Sequence, residues 1–293
     1  MPKRKELEKE PVEINDEEES NSQESSSEDD TDMLDIDFEW FDPQPQVDFH
    51  GIKTLLRQLF DADAQLLDLS ALTDIILAQP LLGSTVKVDG NETDPYAFLS
   101  VLNLYEHRNK PAITGLLDYI CSRSLASEKT KIVPSLVRGE GNARVGLVLT
   151  DRLINIPAEV TPPMYKMLLE EITWAQDEGE PYHFTHYLIL SKTYLEIASL
   201  LADADETTPK QKKAKKTEQK SALESFYFHP EDQILHNFAA TYADYTYKTE
   251  ANQSDSKRAF QDMGIKPQGH MILIEAEKLK PAVKAMLETF GQS

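Results

Sequence analysis

A chain folds only where it has apolar side chains to bury, and from Glu6 to Asp32 this one has almost none. Nothing there can offset the entropy of ordering the backbone. Residues 1–32 are therefore expected to form a disordered acidic tail, with folding confined to residues 33–293. The charge is segregated in the same way. Residues 1–40 hold sixteen acids and four bases, a net of −12 within the −21 of the whole 293-residue chain. Glu17, Glu18, Glu19, Glu28, Asp29 and Asp30 are the tail's candidate contacts for a basic client, although a solubilising segment with no dedicated partner has the same composition. Ser25, Ser26 and Ser27 each precede an acid by three positions (Glu28, Asp29, Asp30). Acid-directed kinases favour that context, and phosphorylation would deepen the charge.

An acidic surface repels phosphates, so no direct nucleic-acid binding is expected and basic proteins are the better partners. The single cysteine, Cys121, permits no intrachain disulfide and suits a reducing compartment. Met1 to Glu10 is charged and lacks the apolar core of a secretory signal. No apolar run approaches the ~20 residues that cross a bilayer, so membrane insertion is not expected. The glycosylation sequons at Asn91 and Asn252 are then chance matches to a short pattern. A second polar stretch, residues 203–222, separates two apolar segments and reads as an insertion in a loop. Within it, Lys210, Lys212, Lys213, Lys215 and Lys216 form a cluster of the kind read by nuclear import receptors; the plainer reading is a solvated, lysine-rich loop.

Outside these interruptions the apolar residues, 40% of the chain, suffice for a sizeable core. Met33 to Phe41 alternates acid and apolar residues, as a half-buried strand does. Gly51 to Phe60 carries Ile52, Leu55, Leu56 and Leu59 at helical spacing, and Ser70 reads as the N-cap of a helix over Leu72 to Ala78. Strands are predicted at Thr85 to Val88, Phe98 to Leu104 and Arg144 to Thr150, the last near-continuously apolar and so central. A helix is predicted at Ala112 to Leu125. Pro162 and Pro163 suit the first turn of another running to about Asp177, with Met164, Met167, Leu168, Glu171 and Ile172 in sequence, of which the apolar four form one stripe. Tyr187 to Leu195, Phe226 to Phe228, Phe238 to Tyr247 and Met271 to Ile274 supply further strands, and Lys280 to Phe290 a closing helix. The order implies a single α/β domain with a mixed, mostly antiparallel sheet flanked by helices.

No motif in the chain brings reactive groups together. His183 and His186 are three apart, a spacing that on one strand sends them to opposite faces and away from a shared metal. Cys121 sits in the apolar pattern of a helix, as a small hydrophobe does. No lysine-bearing phosphate loop, dinucleotide fingerprint or nucleophile elbow occurs. Arg138-Gly-Glu-Gly-Asn-Ala143 fits the pyrophosphate-binding pattern of the GNAT acetyltransferases, but it leads into a strand instead of opening a helix, so its glycines read as a turn. The aromatic segments Phe226 to Pro230 and Tyr242 to Tyr247 have acidic neighbours, which favours core packing or a protein-binding surface over base stacking.

Long stretches resemble one known family. Phe38-Glu-Trp-Phe-Asp42, Asp48 to Phe60, Gly83-Ser-Thr-Val86, Leu149-Thr-Asp-Arg-Leu-Ile-Asn-Ile-Pro157, Pro163 to Leu168 and Tyr187 to Thr193 are similar, in that order, to the BCCIP family of nuclear proteins, most closely to its fungal members. The resemblance covers about Asp35 to the C-terminus. It implies a fold similar to the GNAT acetyltransferases without an acetyl-CoA site, no catalytic residue, no cofactor and no metal. It further implies a chaperone for a basic ribosomal protein of the large subunit and an export adaptor with a lipid kinase among its cargo. Such a protein works with nuclear transport receptors and moves between nucleus and cytoplasm; animal relatives are linked to DNA repair and cell-cycle control. The fold resemblance keeps one alternative open, a diverged GNAT-like acyltransferase.

Overall fold

Alternate residues of the central strands serve two different cores. The computed structural model describes residues 37–79, 82–196, 225–249 and 265–291. Its strands are β1 (Glu39–Phe41), β2 (Ser84–Lys87), β3 (Ala97–Asn103), β4 (Val145–Arg152), β5 (His186–Glu196), β6 (Ser225–Tyr227), β7 (Thr241–Tyr245) and β8 (Ile265–Glu275). They form one sheet in the order β1-β2-β3-β4-β5-β8-β7, with β6 also paired to β5. Every pairing is antiparallel except that of β4 with β5. This is the mixed, mostly antiparallel sheet predicted from the sequence. Leu147, Leu149, Leu188, Leu190, Met271 and Leu273 point to one core; Val148, Tyr187, Ile189, Ile272 and Ile274 point to the other. A strand covered on both faces needs apolar residues at every position, which accounts for the unbroken run in β4.

The helices are α1 (Pro45–Phe60), α2 (Leu69–Leu77), α3 (Leu104–His107), α4 (Pro111–Ser124), α5 (Val133–Val137), α6 (Thr161–Asp177), α7 (Glu231–His236) and α8 (Ala276–Phe290). The first five contribute to one core and the last three to the other. In α1 the stripe of Ile52, Leu55, Leu56 and Leu59 is fully buried, each side chain contributing ~1.5–3 kcal/mol relative to exposure. Pro45 costs the first turn no hydrogen bond, and the Asp48 carboxylate accepts the Gln44 N–H at 2.7 Å. Asp48 also holds the Lys87 ammonium of β2 at 2.7 Å, both fully buried. Lys87 also donates to Asn91, at 2.7 Å to its carbonyl and 2.9 Å to its side-chain oxygen, so the buried ammonium has one carboxylate and two oxygen acceptors around it.

Several boundaries differ from the expectation, each for a local reason. The cap of α2 is Asp68, whose carboxylate accepts the Ala71 N–H; Ser70 lies inside the helix. Of the predicted first strand, only Glu39–Phe41 pairs with β2 among the described residues. Phe238–Tyr247 divides, because Phe238 N–H closes the end of α7 onto Leu235 and the strand starts at Thr241. β8 starts six residues before Met271, its pairing with β5 running through Lys266, Pro267 and Gln268, where polar residues and a proline hide the strand period. α8 starts at Ala276, and Pro281 is accommodated inside it. The short helices α3, α5 and α7 hold too few residues to show a period. The acidic tail at residues 1–32 and the lysine-rich stretch at 203–222 lie outside the described residues. No described helix is long and apolar enough to cross a membrane.

Candidate functional site

The one parallel pair in the sheet does not stay paired. β4 and β5 are in register from Val145–His186 to Leu149–Leu190 and then part, although β4 runs on to Arg152 and β5 to Glu196. Farther along, β6 takes the place beside β5, from Thr193–Tyr227 to Leu195–Ser225. Open sheets present their binding crevice at the carboxyl ends of parallel strands. Here that end opens into a cleft of about 1450 Å³. One wall is the end of α1 and the turn that follows it (Arg57, Gln58, Asp61), and the other is Tyr194 of β5 with Phe228 after β6.

Three charged residues stand just past the parting, and each is matched. Lys192 Nζ is 2.8 Å from Asp151 Oδ2, bridging the two strands. Gln58 Nε2 donates to the Arg152 carbonyl at 2.8 Å. The Arg152 guanidinium grips the Glu231 carboxylate with both terminal nitrogens, Nη2 to Oε2 at 3.1 Å and Nη1 to Oε1 closer still. It also donates to Ile156 O and Thr161 Oγ1, each at 3.2 Å. His229 lies between the acids, Nε2 3.2 Å from Asp151 and Nδ1 3.7 Å from Glu231, off the line of a hydrogen bond to either. Burial pushes the Asp151 carboxyl up, but His229 and Lys192 outweigh it and hold it below the usual range. A floor built this way is rigid and nearly neutral.

Beside Glu231, Asp232 is fully enclosed and, among the described residues, has no cation within ion-pair distance; Ser191 Oγ donates to it at 2.5 Å. Burial is the main cause that pushes its carboxyl up to about 6, with Glu231 adding to the rise and His229 and His270 opposing it. A carboxyl raised in the folded state favours folding below its unfolded value and weakens it as pH rises through the folded value. Asp232→Asn keeps an oxygen for Ser191 and removes the charge. The variant is expected to gain about 2–3 kcal/mol over the native chain at neutral pH, from a rise of about two pH units, and nothing near pH 4. Urea unfolding across that range checks it; a variant less stable than the native chain at pH 7 would refute the account.

A second polar assembly ties the far edge of the sheet together. His236 Nε2 and His270 Nε2 are 2.8 Å apart, and His270 Nδ1 is 2.6 Å from Asp244 Oδ1. Asp244 also accepts from Thr193 at 2.8 Å and Ser225 at 3.1 Å. Tyr242 stacks flat on His236. Burial, then the neighbouring His270, push His236 down to about 4, so it is neutral at physiological pH. The aromatic segments thus divide: Tyr245 and Tyr247 belong to the core, Tyr227 and Tyr242 surround the histidines, and Phe228 is 37% exposed at the cleft.

The other residues singled out by sequence fall as follows. His183 precedes β5, so the opposite-face argument does not apply to it; His186 is the strand's first residue. Cys121 is buried in α4, and burial pushes its thiol up. Gly139 and Gly141 shape the turn between α5 and β4, as expected. Glu17, Glu18, Glu19, Glu28, Asp29 and Asp30, and Lys210, Lys212, Lys213, Lys215 and Lys216, lie outside the described residues. Sequence reasoning missed Arg152, Lys192, His229 and Glu231. The available signal was charge in an apolar setting, above all Lys192 within Tyr187–Leu195.

Fold and cleft together define a three-layer α/β protein whose sheet splays over a self-neutralised floor. The chain belongs to the BCCIP family, whose model matches residues 33–235. It is 54% identical to Protein bcp1 of Aspergillus fumigatus over 97% of both chains. It is 49% identical to Protein bcp1 of Schizosaccharomyces pombe over 89% of this chain and 92% of that one. The crystal structure of BCP1 from Saccharomyces cerevisiae is similar over 90% of this chain and 93% of that one, with a TM-score of 0.59 and 27% identity. The family is the one the sequence resembles, and neither it nor these relatives are named for a catalytic activity.

Proposed function

We propose that the protein is a non-enzymatic client-binding protein, a chaperone for a basic ribosomal protein of the large subunit that also serves as a nuclear export adaptor, with a lipid kinase among its cargo. The observation that carries this reading is the cleft. At about 1450 Å³ it exceeds the ~300–1,000 Å³ of small-molecule sites, and the charges on its floor are already paired with one another. Such a surface suits a protein segment. The acid excess, −12 of it in the first forty residues, supplies the long-range attraction for a basic client, giving fast capture and salt-sensitive release. In the same reading the lysine cluster 210–216 directs nuclear entry through import receptors, and the protein moves between nucleus and cytoplasm.

The chain's own residues weigh against the acyltransferase alternative. A pyrophosphate cradle needs free backbone N–H groups at the helix that follows the parted strand. That helix, α6, has Pro162 and Pro163 in its first turn, which carry no N–H. Ser191 donates its hydroxyl to Asp232, so it is not aligned on a histidine as an activated nucleophile would be.

Capture of purified basic large-subunit proteins by the full chain, and by a chain lacking residues 6–32, tests the proposal. Capture is expected to weaken as salt rises, with a flatter salt dependence and lower affinity after the deletion. Failure of the full chain to bind any of them at low salt would overturn it.

A further inference from the structure

On the sheet edge away from the cleft, three elements enclose a recess of about 330 Å³. Trp40, Phe41 and Asp42 come from β1 and the residue after it, Ser84 from β2, and Met167 and Glu171 from α6, where the spacing of four sets them on one helix face. Its volume is at the lower limit of small-molecule sites. The Trp40 ring is fixed by its N–H, which donates to Val160 O at 3.2 Å, and is 37% exposed.

Among the described residues the recess is lined by the carboxylates Asp42 and Glu171, the hydroxyl of Ser84 and the amides Gln44 and Asn91, and by no cation. Glu171 accepts the Gly83 N–H at 2.8 Å, and the charges that act on it, Asp42 and Glu170, are both negative. The Lys87 ammonium, which lies over Phe41, is committed to Asp48 and Asn91. Ser84 Oγ is buried, only 4% of the residue being exposed, and has no hydrogen-bond partner. Two carboxylates, an unpartnered buried hydroxyl and two aromatic rings are thus gathered at one place. Aromatic faces and carboxylates both attract cations. A small recess lined by two carboxylates and a hydroxyl suits a compact ammonium with its three donors better than the wide, flat fork of a guanidinium.

We propose that this recess receives the ammonium group of a lysine side chain on a basic protein, with the stem of that lysine against Trp40 and Met167. The inference rests on the client-binding reading and adds to it a defined contact on the folded core. It also carries a pH signature. Burial, with Asp42 and Glu170, pushes the Glu171 carboxyl up to about 7, so an arriving ammonium displaces a proton. Affinity therefore rises between about pH 6 and about pH 8.

The test uses the full chain carrying Trp174→Phe, a substitution at an exposed site that leaves Trp40 as the only tryptophan. The probes are a peptide of alternating lysine and glycine and its glutamine-for-lysine counterpart. The lysine peptide is expected to change the Trp40 fluorescence saturably, more tightly at the higher pH, and the glutamine peptide to leave it unchanged. Glu171→Gln keeps an oxygen for the Gly83 N–H and is expected to weaken binding at least ~10-fold, as loss of about 1.4 kcal/mol would. Thermal melting verifies its fold, and Ser84→Ala provides an independent second variant with weaker binding. An unmoved Trp40 signal, or equal binding by Glu171→Gln, overturns the recess as a lysine site. If basic large-subunit proteins are still captured in salt-sensitive fashion, only the recess falls; if the full chain captures none, the client-binding reading itself falls.

Discussion

Arg152→Met is expected to destabilise the protein by ~3–5 kcal/mol, the effect of stripping one partner from a buried ion pair. Arg152 and Glu231 have side chains exposed by only 9% and 5%, and the guanidinium also serves Ile156 O and Thr161 Oγ1. Without it, the buried Glu231 carboxylate loses its guanidinium partner and is left beside Asp232. In a domain of this size each kcal/mol corresponds to ~2–4 °C in melting temperature, so the drop is large enough to read by calorimetry. Arg152→Met combined with Glu231→Leu should recover most of the loss, because two apolar groups of similar bulk can replace a buried pair. A loss under ~1 kcal/mol for the single variant would mean that the pair is not closed as described.

Gly83→Ala is expected to cost ~3 kcal/mol or more, from backbone strain and overpacking together. The residue has φ of +107°, and an added Cβ would sit 2.5 Å from the Leu99 carbonyl oxygen and 2.9 Å from Ser100 Cβ. The obstacle is the backbone of the adjacent strand, which cannot swing away as a flexible side chain can. Gly90→Ala separates the two causes. Gly90 has φ of +89° but nothing near its Cβ position, so that variant should lose only the strain, ~1–3 kcal/mol. Equal melting temperatures for the two variants would refute the steric part. The change at Gly83 would also displace the N–H that Glu171 accepts, so the recess should be perturbed along with the fold.

What the sequence made legible follows from how each element earns its stability. α1 and α6 were readable because their buried faces recur at helical spacing over several turns, and β4 because both of its faces are covered. β8 was half readable: Met271 to Ile274 lies in the core, whereas Ile265 to Gln268 is held by its pairing with β5, an interaction between distant parts of the chain that leaves no local pattern. The cleft was not legible at all. Asp151, Lys192, His229 and Glu231 meet only because β4 and β5 part after Leu149 and Leu190, and register is a property of the folded sheet. The recess was not legible either. Glu171 stands in sequence among Met164, Met167, Leu168 and Ile172, whose apolar stripe reads as core alone, and only the packing of α6 against β1 and β2 brings it to Trp40 and Ser84.

The long pairing between β5 and β8 also governs how this chain is made. His186 pairs with Glu275, and Glu196 with Ile265, so the middle of the sheet cannot close until residues 265–275 have left the ribosome. At ~5–20 residues per second of synthesis, several seconds pass between the emergence of one strand and of its partner. During that interval Leu188, Ile189 and Leu190 have β4 on one side and an open edge on the other, the kind of edge that pairs with the wrong chain. A protein proposed to shelter a basic client therefore passes through its own synthesis as an aggregation-prone nascent chain.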